Sequence, residues 1–442
     1  MKAFYNILAN TAIASIVNFT VWFALTFWIY LETQSVLATG LLAGVYLVLT
    51  AGSGFWFGSI VDHNRKKYVM LGSSAVSFAL YAASFLFYIS TPAEAFKDVS
   101  GFAVWTLVIL LMLGVTAGNL RSITLPTTVT LLIPEDRRDK ANGLVGMVTG
   151  IGFLVTSVIS GFLVAWGGIY YVHIFALVLT SLAFLHLLFV QIPEKRPEHV
   201  EGTLKVKKRM DLRGTIAIVA SVPGLFALIF FSTFNNFIGG MFMALMDAYG
   251  LSLVSVQTWG LLIGFLSTAF ILSGIIIAKT GLGKNPLRTL MLVNVITWTT
   301  CIFFTIQPSI ILLAIGFFIW MLLGPYAEAA EHTTLQKVVP FERQGRVFGF
   351  AQSIEQSASP VTAFLVGPLT QFIFIPFMTT GAGVALIGDW FGTGPARGIA
   401  LVFIIGGLLG LLMTVIAFNS KYYRQLSARY AQAGTPEGEL TK

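Results

Sequence analysis

Charge is scarce in this chain. Asp, Glu, Lys and Arg make up 10% of its 442 residues and hydrophobic residues 56%, with a mean hydropathy of +0.83. A water-soluble fold of this length would lack the polar surface to cover itself, which excludes a soluble enzyme or binding module. Cysteine is limited to Cys301, so an internal disulfide is excluded, and its place inside an apolar run points to packing. No hydrophilic stretch is long enough for a catalytic domain. No G-x-x-x-x-G-K-[ST] phosphate cradle occurs either, which argues against an ATP-driven pump and leaves a gradient or a partner as the energy source. No cofactor and no metal site are expected. A cleavable signal is not evident, because the first apolar run is too long and no A-x-A-like site follows it.

Long apolar runs dominate instead. A helix crosses the ~30 Å hydrocarbon core with about 20 apolar residues. Twelve runs qualify: 9–31, 36–61, 68–89, 102–133, 144–166, 171–192, 216–245, 254–278, 287–306, 310–339, 347–377 and 399–418. Several exceed that length, which implies tilt or projection past the bilayer. The expectation is an all-α membrane protein of twelve transmembrane helices.

Two stretches 206 residues apart, TTVTLLIPEDRRDKANG from Thr127 and TTLQKVVPFERQGRVFG from Thr333, share five of 17 positions, with five further conservative exchanges. Each leads from one apolar run through a charged loop into the next, so the chain reads as a tandem duplication. Internal repeats of this kind mark secondary transporters. The hydrophilic stretch PEKRPEHVEGTLKVKKRMDLR, 193–213, falls between the copies as a flexible linker. The expected organisation is a six-helix half at 1–192, the linker 193–213, a second half at 214–420 and a tail at 421–442.

With a cytoplasmic N-terminus, 24 of the 27 Lys and Arg fall in the even loops and the two tails, leaving Arg121 within a span and Lys97 and Arg397 outside. Loop cations set orientation, so both termini are expected in the cytoplasm and the protein in the inner, or plasma, membrane. The net charge of +8 is accounted for by orientation and contact with anionic lipid. It gives no case for nucleic-acid binding.

After the second run the sequence reads Gly58-Ser-Ile-Val-Asp62-His-Asn-Arg65-Lys66-Lys67. A small residue permits close helix packing, and a carboxylate among cations can pair with them, or with a helix N-terminus, in one conformation only. Gly58, Asp62, Arg65, Lys66 and Lys67 are therefore a candidate conformational latch. Plain positive-inside charge explains the three cations but leaves Gly58 and Asp62 in register unexplained. The second half answers with Gly274-Ile-Ile-Ile-Ala278-Lys279 and no acid at the matching place.

This loop resembles motif A of the major facilitator superfamily, G-x-L-a-D-r-x-G-R-k, at Gly58, Asp62 and Lys67. It departs from the motif at His63, Arg65 and Lys66. With Pro134–Leu144, Gln344–Phe348, Gly367-Pro368 and Gly392–Gly398, the chain is similar to the branch holding macrolide-efflux and enterobactin-exporter-like proteins. The resemblance implies two pseudo-symmetric six-helix halves and export of a drug-like or siderophore-like molecule. Thr156-Ser157 stands where family antiporters often have G-P, a departure that bears on proton antiport.

Ionisable residues inside spans cost at least ~2.5–3.5 kcal/mol on insertion scales and mark sites. Arg121 lies 13 residues before Pro134, and Glu328 lies 12 before the duplicated Pro340, which puts both about 18–20 Å from their loop ends at the helical rise. Glu331 and His332 follow Glu328 on one helical face, and Glu355 lies in the eleventh run beside Gln352 and Gln356. Arg121, Glu328, Glu331, His332 and Glu355 form the expected proton-coupling and substrate cavity, with Glu328 first among the acids. A static buried ion pair is the competing reading. Asn235, Asn236 and Trp22 are weaker cavity candidates, the two asparagines being structural by default. His173 and His186 read as packing residues or interface anchors.

The sequence thus describes a monomeric secondary transporter exchanging a small molecule for protons. A proton-coupled importer, a lysolipid flippase and a non-transporting scaffold or sensor are the alternatives.

Overall fold

A computed structural model describes residues 2–33, 36–98, 101–194 and 212–433. Among these residues the chain is helical throughout its length. The helices are α1 (Lys2–Thr33), α2 (Val36–His63), α3 (Lys66–Ser90), α4 (Phe102–Gly118), α5 (Leu120–Leu132), α6 (Arg138–Phe189), α7 (Leu212–Ser221), α8 (Leu225–Leu251), α9 (Val256–Leu266), α10 (Thr268–Thr280), α11 (Pro286–Phe303), α12 (Ile310–Val338), α13 (Phe341–Leu369), α14 (Ile375–Thr379), α15 (Ala382–Phe391), α16 (Pro395–Asn419) and α17 (Lys421–Gln432). The expected linker lies outside the described residues between 195 and 211, as does the tail beyond 433.

Among the described residues, ten helical stretches are long and apolar enough to cross a membrane. One of them, Glu135–Phe189, holds two of the expected spans, because the helix breaks at Gly167 and at Gly168, whose φ of 57° is a left-handed conformation that suits glycine. With α2, 28 residues long, the twelve expected runs are accounted for. Span boundaries are less regular than the apolar runs imply. The fourth span is α4 and α5 joined at Asn119, and the eleventh passes through a π-helical turn at Thr370–Phe374. That turn follows Pro368, whose ring and missing N–H disturb the hydrogen-bond ladder.

The chain forms two compact units: Met1–Ala141 with Val148–Ile216 and Val339–Ser353, and Asn142–Met147 with Ala217–Val338 and Ile354–Lys442. In the first unit Val21, Leu25, Leu107, Leu111 and Ile169 belong to a fully buried cluster. In the second, Phe242, Trp298, Phe304 and Phe403 stack in a buried aromatic core. Cys301 sits in that core, buried and unpaired.

Buried polar groups fasten each unit from within. In the first, Arg121 on α5 donates to Asn10 Oδ1 on α1 at 2.7 Å, to Ser74 Oγ on α3 at 2.6 Å and to the Met70 carbonyl at 3.4 Å. Asn10 in turn donates to the Ala183 carbonyl of α6 at 2.7 Å and contacts His186 Nδ1 at 3.2 Å. His173 lies between the Ile169 carbonyl and Ser84 Oγ and stacks on Tyr88. In the second unit Arg397 is 3% exposed. Its guanidinium lies over the Phe391 ring and donates to the carbonyls of Phe391 and Ile306 and to the Tyr249 hydroxyl. This arginine, expected on the outer side, is a buried staple.

Candidate functional site

Asp62 stands at the end of α2, one residue past the apolar run 36–61. It meets the first turns of α13 because two glycine pairs let the helices touch: Gly54 faces Gly349, and Gly58 faces Gly345 and Arg346, with no room for a methyl group on either α2 glycine. There the Asp62 carboxylate accepts from the Gly345 amide at 2.6 Å and from the Arg346 amide at 3.0 Å. The Arg346 guanidinium closes the contact, its Nε 3.4 Å from Asp62 Oδ2. Burial pushes the Asp62 carboxyl up to about 7, against the opposing pull of the Arg346 amide, the charges of Lys66 and Arg346, and the Gly345 amide.

The rest of the expected latch divides. Lys66 is 4% exposed and donates through Nζ to the Val61 carbonyl at 2.8 Å. Lys67 donates to the Leu188 carbonyl at 2.9 Å. Arg65 precedes α3 as its N-cap without a side-chain cap bond. Two participants were not singled out in the sequence. His63 bonds the Ser59 carbonyl through Nδ1 at 2.8 Å, which makes Nε2 the acceptor for Arg346 Nη2 at 3.1 Å. Glu194 takes the Lys66 amide on both oxygens at 2.9 and 2.8 Å, satisfying the N-terminus of α3 as a capping carboxylate does. It had read as the start of a linker. A lone acid in a charge-rich stretch carries no local signal of the distant helix end it caps.

In the second unit three carboxyl groups converge from two helices. Glu331 on α12 accepts from Ser232 Oγ on α8 at 2.7 Å. The Glu355 carboxyl on α13 is in hydrogen-bonding contact with that of Glu331 and interacts electrostatically with Glu328. Its Oε1 is buried and, among the described residues, no donor reaches it. Glu328 is exposed, whereas Glu331, His332 and Glu355 are half-buried. Two ionised carboxylates offer only acceptors, so the Glu331–Glu355 contact is a hydrogen bond only with a proton between them.

The other expected residues have partners of their own. Arg121 belongs to the first unit, and its hydrogen-bond partners there are neutral side chains and a carbonyl. Gln352 pairs with Ser122 beside it, donating at 2.8 Å. Asn235 accepts from the Trp298 indole at 2.8 Å and donates to its own helix. Asn236 donates to the Ser232 carbonyl at 3.1 Å, and Trp22 packs on Tyr46 with ring centroids 4.5 Å apart. Ser232 escaped the sequence reading because one serine on an apolar helix has no distinguishing pattern. Its position, one turn before Asn236, was the available signal.

The sequence profile of the Major Facilitator Superfamily matches residues 7–363. A search of curated proteins by sequence returns no match. Among solved structures, the chain is similar to a bacterial homologue of the iron transporter ferroportin in its outward-facing state, at 13% identity and a TM-score of 0.70 over 95% of this chain and 100% of that one. It is similar to the proton:xylose symporter XylE at 14% identity and a TM-score of 0.68, over 97% and 99% of the two chains. It is also similar to the human organic anion transporter MFSD10 (TETRAN) at 12% identity and a TM-score of 0.66, over 93% and 99%. Likeness at such identities speaks for the fold. Among the described residues no group of three or more His, Cys, Asp or Glu is placed to hold a metal ion.

Proposed function

The chain belongs to the Major Facilitator Superfamily, a family of transporters and not of enzymes, and we propose that it is a secondary active exporter of a drug-like or siderophore-like molecule, driven by proton antiport. The observation that carries this reading is the Glu331–Glu355 contact, with Ser232 on one carboxyl and an acceptor oxygen of the other buried without a donor. A proton bound there neutralises the pair, and its loss leaves two like charges that a cationic or strongly hydrogen-bonding solute relieves. Glu328, exposed and interacting electrostatically with Glu355, offers the first stop for a proton arriving from water. Alternating access of the halves 1–192 and 214–420 then exposes the site to each side in turn, with Asp62 favouring one state. Arg121 ties α5 to α1 and α3 within the first half. Loop cations support an inner-membrane location with both termini in the cytoplasm.

Proteoliposomes with an imposed pH gradient test the coupling. Glu355→Gln and Glu331→Gln proteins are expected to bind solute and to exchange it down its own gradient, yet to lose accumulation driven by the pH gradient. Wild-type accumulation in both variants would remove the pair from the mechanism. Accumulation with the gradient reversed would identify an importer, and movement of lysolipid alone would identify a flippase. Absence of flux for every solute under both gradients would leave the scaffold reading. Orientation is tested by cysteine labelling on a Cys301→Ala background: Lys97→Cys is expected to react from outside intact cells and Arg424→Cys to be shielded.

A further inference from the structure

The first unit contains a cavity of about 660 Å³ between α2, α3 and the junction of α4 with α5. Its lining residues all belong to the first unit, and neither the latch nor proton coupling accounts for it. Two glycines make the space. Gly52 on α2 and Gly72 on α3 both line it, and a methyl group on either would meet nothing within 4 Å. The walls are apolar, with Val76, Leu80 and Leu113 among them, and Trp56 and Tyr68 are 60% and 61% exposed.

Its length and its ends are informative. Lining residues on α2 run from Val48 to Asn64 and on α3 from Tyr68 to Leu80, spans of about 24 and 18 Å at the helical rise. One leaflet of the hydrocarbon core is about 15 Å deep, half of the ~30 Å total. The cavity therefore begins at the 62–67 loop and extends through roughly one leaflet. Polar lining at the loop end comes from Asn64 and the Tyr68 hydroxyl. Beside them in sequence stand Arg65, whose guanidinium has no hydrogen-bond or ion-pair partner among the described residues, and Lys67, which spends one donor on the Leu188 carbonyl.

We propose that this cavity binds one phospholipid of the leaflet on the 62–67 side, an acyl chain lying between α2 and α3 and an anionic headgroup at Arg65 and Lys67. In a bilayer no hydrophobic force drives a tail onto an apolar helix face, so specificity comes from packing and headgroup charge. The recess at Gly52 and Gly72 supplies packing on several sides of one chain where a flat helix face offers contact on one. The two cations supply attraction for a negative headgroup over a zwitterionic one. A lipid held there touches the same α2 that carries Asp62, so its occupancy bears on the α2 position from which the latch acts.

Native mass spectrometry of protein reconstituted in mixed phosphatidylglycerol and phosphatidylethanolamine vesicles, then released into mild detergent, tests the site. Wild-type protein is expected to retain one phospholipid, preferentially phosphatidylglycerol. Gly72→Phe and Gly52→Leu fill the recess where the backbone has space, and both are expected to lose the retained lipid with unchanged thermal unfolding. Gly161→Phe, on an exposed glycine of α6 that also has open space, is expected to retain it. Arg65→Gln and Lys67→Gln are each expected to lower the preference for phosphatidylglycerol about fivefold, the ratio that corresponds to one cation near a charged surface. Equal retention by wild type and both filled variants, or a wild-type protein that keeps no lipid or shows no headgroup preference, overturns the proposal.

Discussion

The duplicated segments of this chain end in two junctions built on the same sterics and different electrostatics. In the first unit, glycines at 54 and 58 admit the start of α13, and the charged Asp62 accepts its amides. In the second, Gly274 admits the start of α6 at Met147, and Gly143 meets Ile277. The polar fastening there is neutral: Asn142 donates to Thr333 Oγ1 and Gln336 Oε1, both at 2.9 Å. A repeat has kept the close approach in both copies and placed a titratable group in one. Close packing is thus common to both junctions, and a carboxyl that accepts backbone amides is particular to the first.

Steric substitution is the strongest way to test what the junctions share. Gly58→Leu and Gly274→Leu both force backbone and Met147, respectively, out of contact. Each is expected to abolish flux in proteoliposomes, with overpacking worth about 1–3 kcal/mol or more. Normal flux from either would dissolve the parallel.

Removing the polar groups should separate the two. Asp62→Ala leaves two buried amides without their acceptor, at about 1–3 kcal/mol each, whereas Asn142→Ala removes neutral hydrogen bonds worth about 0.5–1.5 kcal/mol each. The measurement is flux together with thermal unfolding, and the expected order is Asp62→Ala far below Asn142→Ala. Asp62→Asn preserves size and one acceptor. It should insert normally yet transport poorly, and wild-type transport would reduce the loop to a topology signal.

The smallest expected effect concerns pH. A carboxyl at about 7 in the junction and near its ordinary 3.9 when solvated binds protons more tightly when latched. Acidification therefore favours the latched state, and the advantage is lost as pH rises through about 7. Hydrogen exchange of residues 341–353, corrected for intrinsic rate, should lose protection between pH 6 and 8 in wild type and not in Asp62→Asn. Residues 142–147 should show no such change, and parallel behaviour of the two segments would remove the contrast.

The architecture was legible because span length and loop charge are sequence-local quantities. The apolar runs appear as helices in the folded chain, and Asp62 meets the Gly345 and Arg346 amides. What escaped was long-range. Arg121 and Glu328 share a depth, which suggested a pair, but depth leaves azimuth and neighbour unspecified, and Arg121 is met by Asn10 and Ser74. Glu331 and Glu355 belong to separate helices, so their contact depends on how α12 and α13 pack. Glu194 and Ser232 acquire roles only from partners 128 and 99 positions away. Arg397 looked like a loop cation because its run starts two residues later, although the fold draws it under Phe391.

The Arg121 network also bears on the order in which the protein is made. A guanidinium entering the membrane alone costs at least ~2.5–3.5 kcal/mol. Its acceptors, Asn10 on α1 and Ser74 and Met70 on α3, all precede it in the chain, so they emerge from the ribosome and enter the bilayer first. When α5 arrives the receptor for its charge is already assembled, and α6 follows to seal it through Ala183 and Asn10. The buried charge of α5 can therefore be accommodated in the order of synthesis, by helices that precede it and one that follows directly.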